Sequence, residues 1–315
     1  FSIFVDEPPT IEFVIPEVML STIFSFIPPA ILLNIVLVIF IVIKIVITIN
    51  TTPATAKTIF FISHCFNKSI SEYCYNTNSS FMKKLFLPHK HVLPILCIFF
   101  VVCLFFYKTL FRGLIPFPGD LLLSGYGPWR HQSYNGYVAG AIPSKDQYFD
   151  VIRELYPWKT LVIQEIKKGK MPLWNPYNFS GSPLLANYQS QVFYPLSVLY
   201  FFLPQIIAWT ILIILQPLLG SVFTYLFATE IGLSATAAVA SAILFNFSSF
   251  ASIWMEFNTI WHTILWLPLL LFIIERGIKQ RKLLLGQKIL FILALFSAIT
   301  AGHPQDFLNC FLFLV

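Results

Sequence analysis

Long apolar runs separated by short polar turns fill the later part of the chain, and one extended polar stretch interrupts them. The runs fall at 92–110, 205–228, 234–250, 260–275 and 288–301, and a last one begins at 307 and reaches 315. A helix needs about 20 largely apolar residues to cross a bilayer, so these runs are read as transmembrane helices. An earlier apolar run, 30–49, is interrupted by Asn34 and Lys44 and leads into a stretch rich in Ser, Thr and Asn.

Charge adds direction to this pattern. The turn from Arg276 to Lys282 carries four basic residues in seven, and Met82-Lys83-Lys84 with Lys90 precedes the run at 92. Basic loops favour the cytoplasmic side. Counting helices from either cluster puts the turns near Met255–Thr259 and Gly302–Gln305, and the long polar stretch 111–204, on the outer face. The two counts agree if Phe193 to Leu203, too short to span, lies in the interface or re-enters.

Composition agrees with a membrane protein. Of 315 residues, 57% are hydrophobic and 11% charged, against roughly 25% charged in a soluble domain, and mean hydropathy is +0.77. The net charge of +6 then sets topology and gives no reason to expect a nucleic-acid partner. Five cysteines, at 65, 74, 97, 103 and 310, form no C-x-x-C pair and indicate neither a zinc site nor a disulfide framework. The expected fold is therefore an all-α polytopic membrane protein with a large first outer loop that contains short interfacial helices.

Within that loop Ser144 reads as an N-cap with Gln147 completing a capping box, opening a helix that should stop before Pro157. A second helix is expected from Trp158 to Lys168, closed by Gly169. Asp146, Asp150 and Glu154 recur every four residues on one face of the first helix. Carboxylates at a membrane surface suit activation of a hydroxyl or binding of a divalent cation. They equally suit a solvated face on which Arg153 pairs with Asp150, although Tyr156-Pro157-Trp158 gives Asp150 an aromatic setting.

Other candidates have the same double reading. Trp174 and Tyr177 with Asn175, Asn187 and Gln189 suit a sugar-facing platform, or a rigid turn-rich loop. Glu256, Asn258 and His262 sit at one outer helix end, and His303 with Gln305 at another, where ionisable groups at membrane depth tend to mark a site; they are read as substrate-binding, with His262 and His303 orienting substrate or completing a metal site, against the plainer reading of a histidine satisfied at a helix end. Asp120, after Pro116-Phe-Pro-Gly119, is a second acidic candidate. Arg130, Arg153 and Lys159 are the candidates for holding phosphate. The chain has no phosphate loop, G-x-G-x-x-G, H-E-x-x-H or G-x-S-x-G motif, so the usual signatures of ATP-driven transport, dinucleotide chemistry and zinc proteolysis are missing.

The order Pro116-Phe-Pro-Gly-Asp120, Pro128-Trp129, Asp150, Tyr156-Pro-Trp-Lys159, Pro172-Leu-Trp-Asn-Pro-Tyr177, Gly181-Ser-Pro-Leu-Leu-Ala-Asn187 and Phe193-Tyr-Pro195 resembles the YfhO-type bacterial membrane proteins. Trp254-Met-Glu-Phe-Asn258 with His262, and Gly302-His-Pro-Gln305, resemble later motifs of that family. The likeness covers 82–315, so Met82 is expected to be the natural start, 1–81 an extension, and the family's C-terminal spans missing. The resemblance implies helices like those of GT-C membrane glycosyltransferases and a polyprenyl-phosphate sugar donor. It also implies a cell-envelope acceptor, the bacterial cytoplasmic membrane, and an extracytoplasmic active face. Asp120 and Asp150 match the family's acidic positions, with Glu256, His262 and His303 its later polar ones. Asp150 is the first choice for general base or metal ligand and Asp120 the second, and Arg130 or Arg153 is expected to hold the departing phosphate. The competing expectations are a transporter or flippase of a lipid-linked precursor and a non-catalytic envelope assembly factor.

Overall fold

The computed structural model describes residues 89–134, 136–143 and 146–314. The extension 1–81, its run at 30–49, the start at Met82 and the Ser144 cap lie outside the described residues.

Those residues are mostly helical. Helix α1 (His89–Phe105) runs on through Phe106 into a further turn, Tyr107–Arg112, and ends on Gly113 at φ 65°. Helix α2 (Tyr156–Lys167) lies in the long polar stretch. Helix α3 (Gln205–Glu230) is apolar all round and therefore stable only when surrounded. Around it pack α1, α4 (Ala235–Asn246) and α7 (Leu267–Gln280). Gly220 brings α3 and α4 together, since a Cβ there would collide with the Asn246 carboxamide. Helix α5 (Ser249–Trp254) continues α4 after a 48° bend, α6 (Ile260–Ile264) leads into α7, and α8 (Leu285–Thr300) and α9 (Pro304–Leu312) complete the set.

Among the described residues, two stretches are long and apolar enough to cross a membrane, α3 and Ile260–Gln280, and a third if the bent pair at α4 and α5 counts as one. Six spans were expected. The run at 288–301 forms α8 of 16 residues, which reaches only ~24 Å against a hydrocarbon core of about 30 Å. Leu93, Leu96, Phe100 and Leu104 form an exposed stripe along α1, and Ile292 and Phe296 another on α8.

The helix ends sort into two groups. His91 Nδ1 lies 2.7 Å from the Tyr225 hydroxyl. Lys279 donates to the Glu230 carbonyl and pairs with Glu275 at 3.3 Å. These contacts gather the start of α1 and the C-terminal ends of α3 and α7. At the opposite end Phe117 meets Trp209 and Tyr156, and Gln191 bonds the Asn258 and Ala301 carbonyls. The polar stretch 113–204 is thus packed on the same end as the turns at 255–259 and 301–305, the grouping that the basic clusters imply.

Two local expectations fail. The chain does not leave helix before Pro157. A π-turn, Val151–Leu155, with Tyr156 N–H donating to the Val151 carbonyl, leads directly into α2, where Pro157 occupies the first turn and needs no donor. At the far end Gly169 (φ 70°) closes α2 as expected, with Gly169 and Lys170 N–H bonding the Ile166 and Glu165 carbonyls. Nor does Arg153 pair with Asp150: among the described residues its partners are the Tyr126 hydroxyl at 3.2 Å and the Phe149 ring at 4.6 Å.

Candidate active site

The turn after α5 does not stop at the rim of the bundle. Gln216, which bonds the Met255 carbonyl at 3.0 Å, is eleven residues into α3, or ~16 Å along it. Backbone turned inside a bundle must find its hydrogen bonds there, and a set of buried side chains supplies them. Asn258, in the left-handed region at φ 59°, donates to the Trp209 carbonyl at 3.3 Å and accepts from Gln216 at 3.1 Å. Asparagine tolerates that conformation better than most residues.

His262 joins the same oxygen. Its Nε2 is 3.0 Å from Asn258 Oδ1, and its Nδ1 is 2.8 Å from the Tyr194 hydroxyl. Since Asn258 Oδ1 accepts, the network assigns the proton to Nε2, and Tyr194 donates to Nδ1. Both ring nitrogens are committed and the side chain is fully buried. His262, expected to orient substrate or complete a metal site, and Asn258, expected to bind substrate, hold the turn instead.

Lys159 belongs to this buried layer and not to a phosphate site. Its Nζ donates to the Ser190 carbonyl at 2.7 Å and the Ser197 hydroxyl at 3.3 Å, and lies 5.3 Å from the Tyr200 ring centre. Burial pulls its pKa down to about 7. Ser197 in turn donates to the Gln191 carbonyl, so the segment 190–197 is fastened to α2 on one side and to the turn at 258 on the other.

Above this layer is a cavity of about 370 Å³, lined by Asp150, Gln189, His303, Gln305 and Asp306 and by Leu155, Phe250, Trp254, Phe257 and Ile260. Four residues singled out in the sequence, Asp150, Gln189, His303 and Gln305, meet there from three distant parts of the chain. Each is placed by its own local device. Asp150 sits where the π-turn begins. Gln189 lies in a short turn, Tyr188–Ser190, whose N–H at 189 bonds Asn187 Oδ1 at 3.1 Å. His303 follows Gly302, at φ 109°, where a Cβ would come within 2.9 Å of Gln191 and 3.2 Å of Thr259. Among the described residues, no Lys or Arg lines the cavity.

The remaining candidates lie outside the lining. Asp120 and Glu256 are partly buried, and Arg130 and Arg153 are exposed. Glu154 has a raised pKa, through burial first and the charge of Asp150 second, with Arg153 acting against both. Asn187 caps the turn that carries Gln189. Asn175 is buried, with Oδ1 accepting from Tyr177 N–H at 3.0 Å, so it shapes a turn. That turn joins β1 (Trp174–Asn175) to β2 (Ser182–Pro183), and Trp174 packs so close over Gly181 (φ 99°) that no side chain fits there. Trp174 and Tyr177 are exposed on this hairpin.

Asp306, Tyr194, Gln191 and Gln216 were not singled out as candidates in the sequence. Asp306 was detectable as an acid three residues after His303 in a turn opened by Pro304; the others are long-range partners with no local signal. Among the described residues, no three His, Cys, Asp or Glu side chains gather as a metal-binding group. No family model, curated protein or solved structure matches the chain.

Proposed function

We propose that this chain is a membrane glycosyltransferase with a GT-C-like arrangement of helices, moving a sugar from a polyprenyl phosphate to a hydroxyl of a cell-envelope acceptor. The observation that carries the reading is the cavity. It collects Asp150, Gln189, His303 and Gln305 at the one end of the bundle where the long polar stretch is also packed. Aromatic walls beside carboxylate, imidazole and amide groups suit a hydroxyl-bearing ring. The exposed Leu and Phe stripes on α1 and α8 suit a lipid surround, and the basic turn at 276–282 lies at the opposite end, as extracytoplasmic chemistry requires.

In this reading Gln189 and Gln305 bond ring hydroxyls, Trp254 and Phe257 supply an apolar wall, and Asp150 meets the reacting region of the acceptor. Arg130 and Arg153, outside the lining, are left for the lipid phosphate beyond the cavity. The test is transfer of radiolabelled sugar from a polyprenyl-phosphate donor by the full chain in membranes, with and without EDTA. Asp150→Asn should reduce transfer roughly 100-fold; undiminished transfer removes Asp150 from the chemistry. Loss of transfer in EDTA, restored by a divalent cation, assigns Asp150 to a metal.

A further inference from the structure

His303 and Asp306 form a unit in the cavity wall. His303 Nδ1 lies 2.8 Å from Asp306 Oδ2, and the two side chains are 24% and 17% exposed. Asp306 is in the first turn of α9, where a carboxylate is favoured by the helix dipole. The chain before it is fixed by Gly302 against Gln191 and Thr259.

This pairing decides which ring nitrogen carries the proton. The negative carboxylate 2.8 Å from Nδ1 favours the hydrogen on that nitrogen by charge, without an aligned hydrogen bond, so Nδ1 holds the hydrogen. In the neutral ring Nε2 is then bare. Nδ1 itself is sealed from solvent, while the imidazole remains about a quarter exposed and lines the cavity. With Nδ1 buried, the exposed quarter belongs to the rest of the ring, the part of which Nε2 is a member. His262 is the internal contrast: the same side chain, with both nitrogens bonded and no exposure.

We propose that His303 Nε2 takes the proton from the acceptor hydroxyl, with Asp306 as the positioning residue that keeps Nε2 bare; this rests on the sugar-transfer reading. The acceptor O–H bond breaks, and its proton goes to Nε2. The acceptor oxygen bonds the anomeric carbon, and the bond from that carbon to the phosphate oxygen breaks. Its electron pair leaves with the polyprenyl phosphate, and the imidazolium returns its proton to water. Asp150, in a wall with no Lys or Arg among its described residues, orients a neutral hydroxyl-bearing acceptor.

The experiment uses the full chain in lipid nanodiscs with nitrogen-15 histidine, the His303 signals being assigned by their loss in His303→Gln. At pH 9 the expected result is the Nδ1–H tautomer at His303, shifting toward Nε2–H in Asp306→Ala. In the transfer assay His303→Gln should lower kcat roughly 100-fold and Asp306→Ala about tenfold, with KM within twofold and partial recovery in Asp306→Glu. An Nε2–H ring in the unaltered chain, or transfer that survives both His303→Gln and Asp306→Ala, overturns this proposal alone. No transfer by the unaltered chain overturns the sugar-transfer reading and this proposal with it, whatever tautomer His303 holds.

Discussion

His262 and His303 are placed at the same end of one helical bundle, and the difference between their surroundings separates the part of the molecule that holds the fold from the part open to a ligand. His262 lies in a layer where Asn258, Gln216, Tyr194 and Gln191 tie three helices and a loop together. His303 lies one layer out, its Nδ1 2.8 Å from the Asp306 carboxylate and the ring otherwise facing a cavity. Residue type does not distinguish them. Saturation of hydrogen-bonding groups does, because a buried polar group that loses its partner costs about 1–3 kcal/mol, whereas an exposed one regains water.

The largest effect should therefore come from the inner layer. Asn258→Ala removes bonds to His262, Gln216 and the Trp209 carbonyl and places alanine at φ 59°. The expected loss is about 3 kcal/mol, read from denaturant unfolding in detergent. Asp150→Asn and His303→Gln should each stay within about 0.5 kcal/mol of the unaltered chain. If Asn258→Ala costs no more than His303→Gln, the division into a holding layer and an open layer is wrong.

Lys159 sharpens the comparison because it is the inner layer's buried cation. Its folded pKa, pulled to about 7 by burial, lies below the 10.5 of an ordinary lysine. Between those values the unfolded chain binds the proton and the folded one releases it, so stability rises with pH across that window. Below pH 7 both states are protonated and the full cost of burying the charge is present. Raising pH from 7 to 9 should add about 2 kcal/mol, and Lys159→Met should flatten that slope. A slope unchanged in Lys159→Met would assign it to another group.

Gly302 joins the two layers. A Cβ there would press on Gln191 and Thr259 at φ 109°, so Gly302→Ala should destabilise by about 1–2 kcal/mol. It should also displace His303, lowering transfer beyond what the stability loss explains. Transfer that falls only in proportion to folded protein would detach His303 from the Gly302 hinge point.

Much of the outer layer was legible before the structure. Helix counting from two basic clusters put Asp150, Gln189, His303 and Gln305 on one side, and polar groups in an apolar chain stand out by rarity. The inner layer was not. Asn258 and His262 read as substrate residues because local sequence shows a polar side chain and not its partners, which come from as far away as Gln191 and Tyr194. Lys159 misled for the same reason: a lysine near an aromatic cluster suggests an anion, and only packing shows that two oxygens and the Tyr200 ring already occupy it. The helix break expected at Pro157 failed because a π-turn leads straight into α2 with Pro157 in its first turn, where no donor is needed, and that turn has no sequence marker.

The smallest expected effect concerns Arg153, and it bears on which ligand the cavity accepts. Spacing alone suggests an Asp150–Arg153 pair on one helix face. The structure instead gives Arg153 to the Tyr126 hydroxyl and the Phe149 ring, leaving no Lys or Arg among the described residues of the cavity wall. In a double-mutant cycle, Asp150→Asn and Arg153→Gln should then be additive in unfolding free energy to within about 0.3 kcal/mol. Surface pairs that do form contribute about 0.2–1 kcal/mol, and replicate unfolding curves separate the two cases. A coupling above about 0.5 kcal/mol would bring the guanidinium to Asp150 and put a positive group at the cavity mouth. The lining would then suit a phosphate as readily as a neutral sugar, and the separation of acceptor cavity from lipid phosphate would fail.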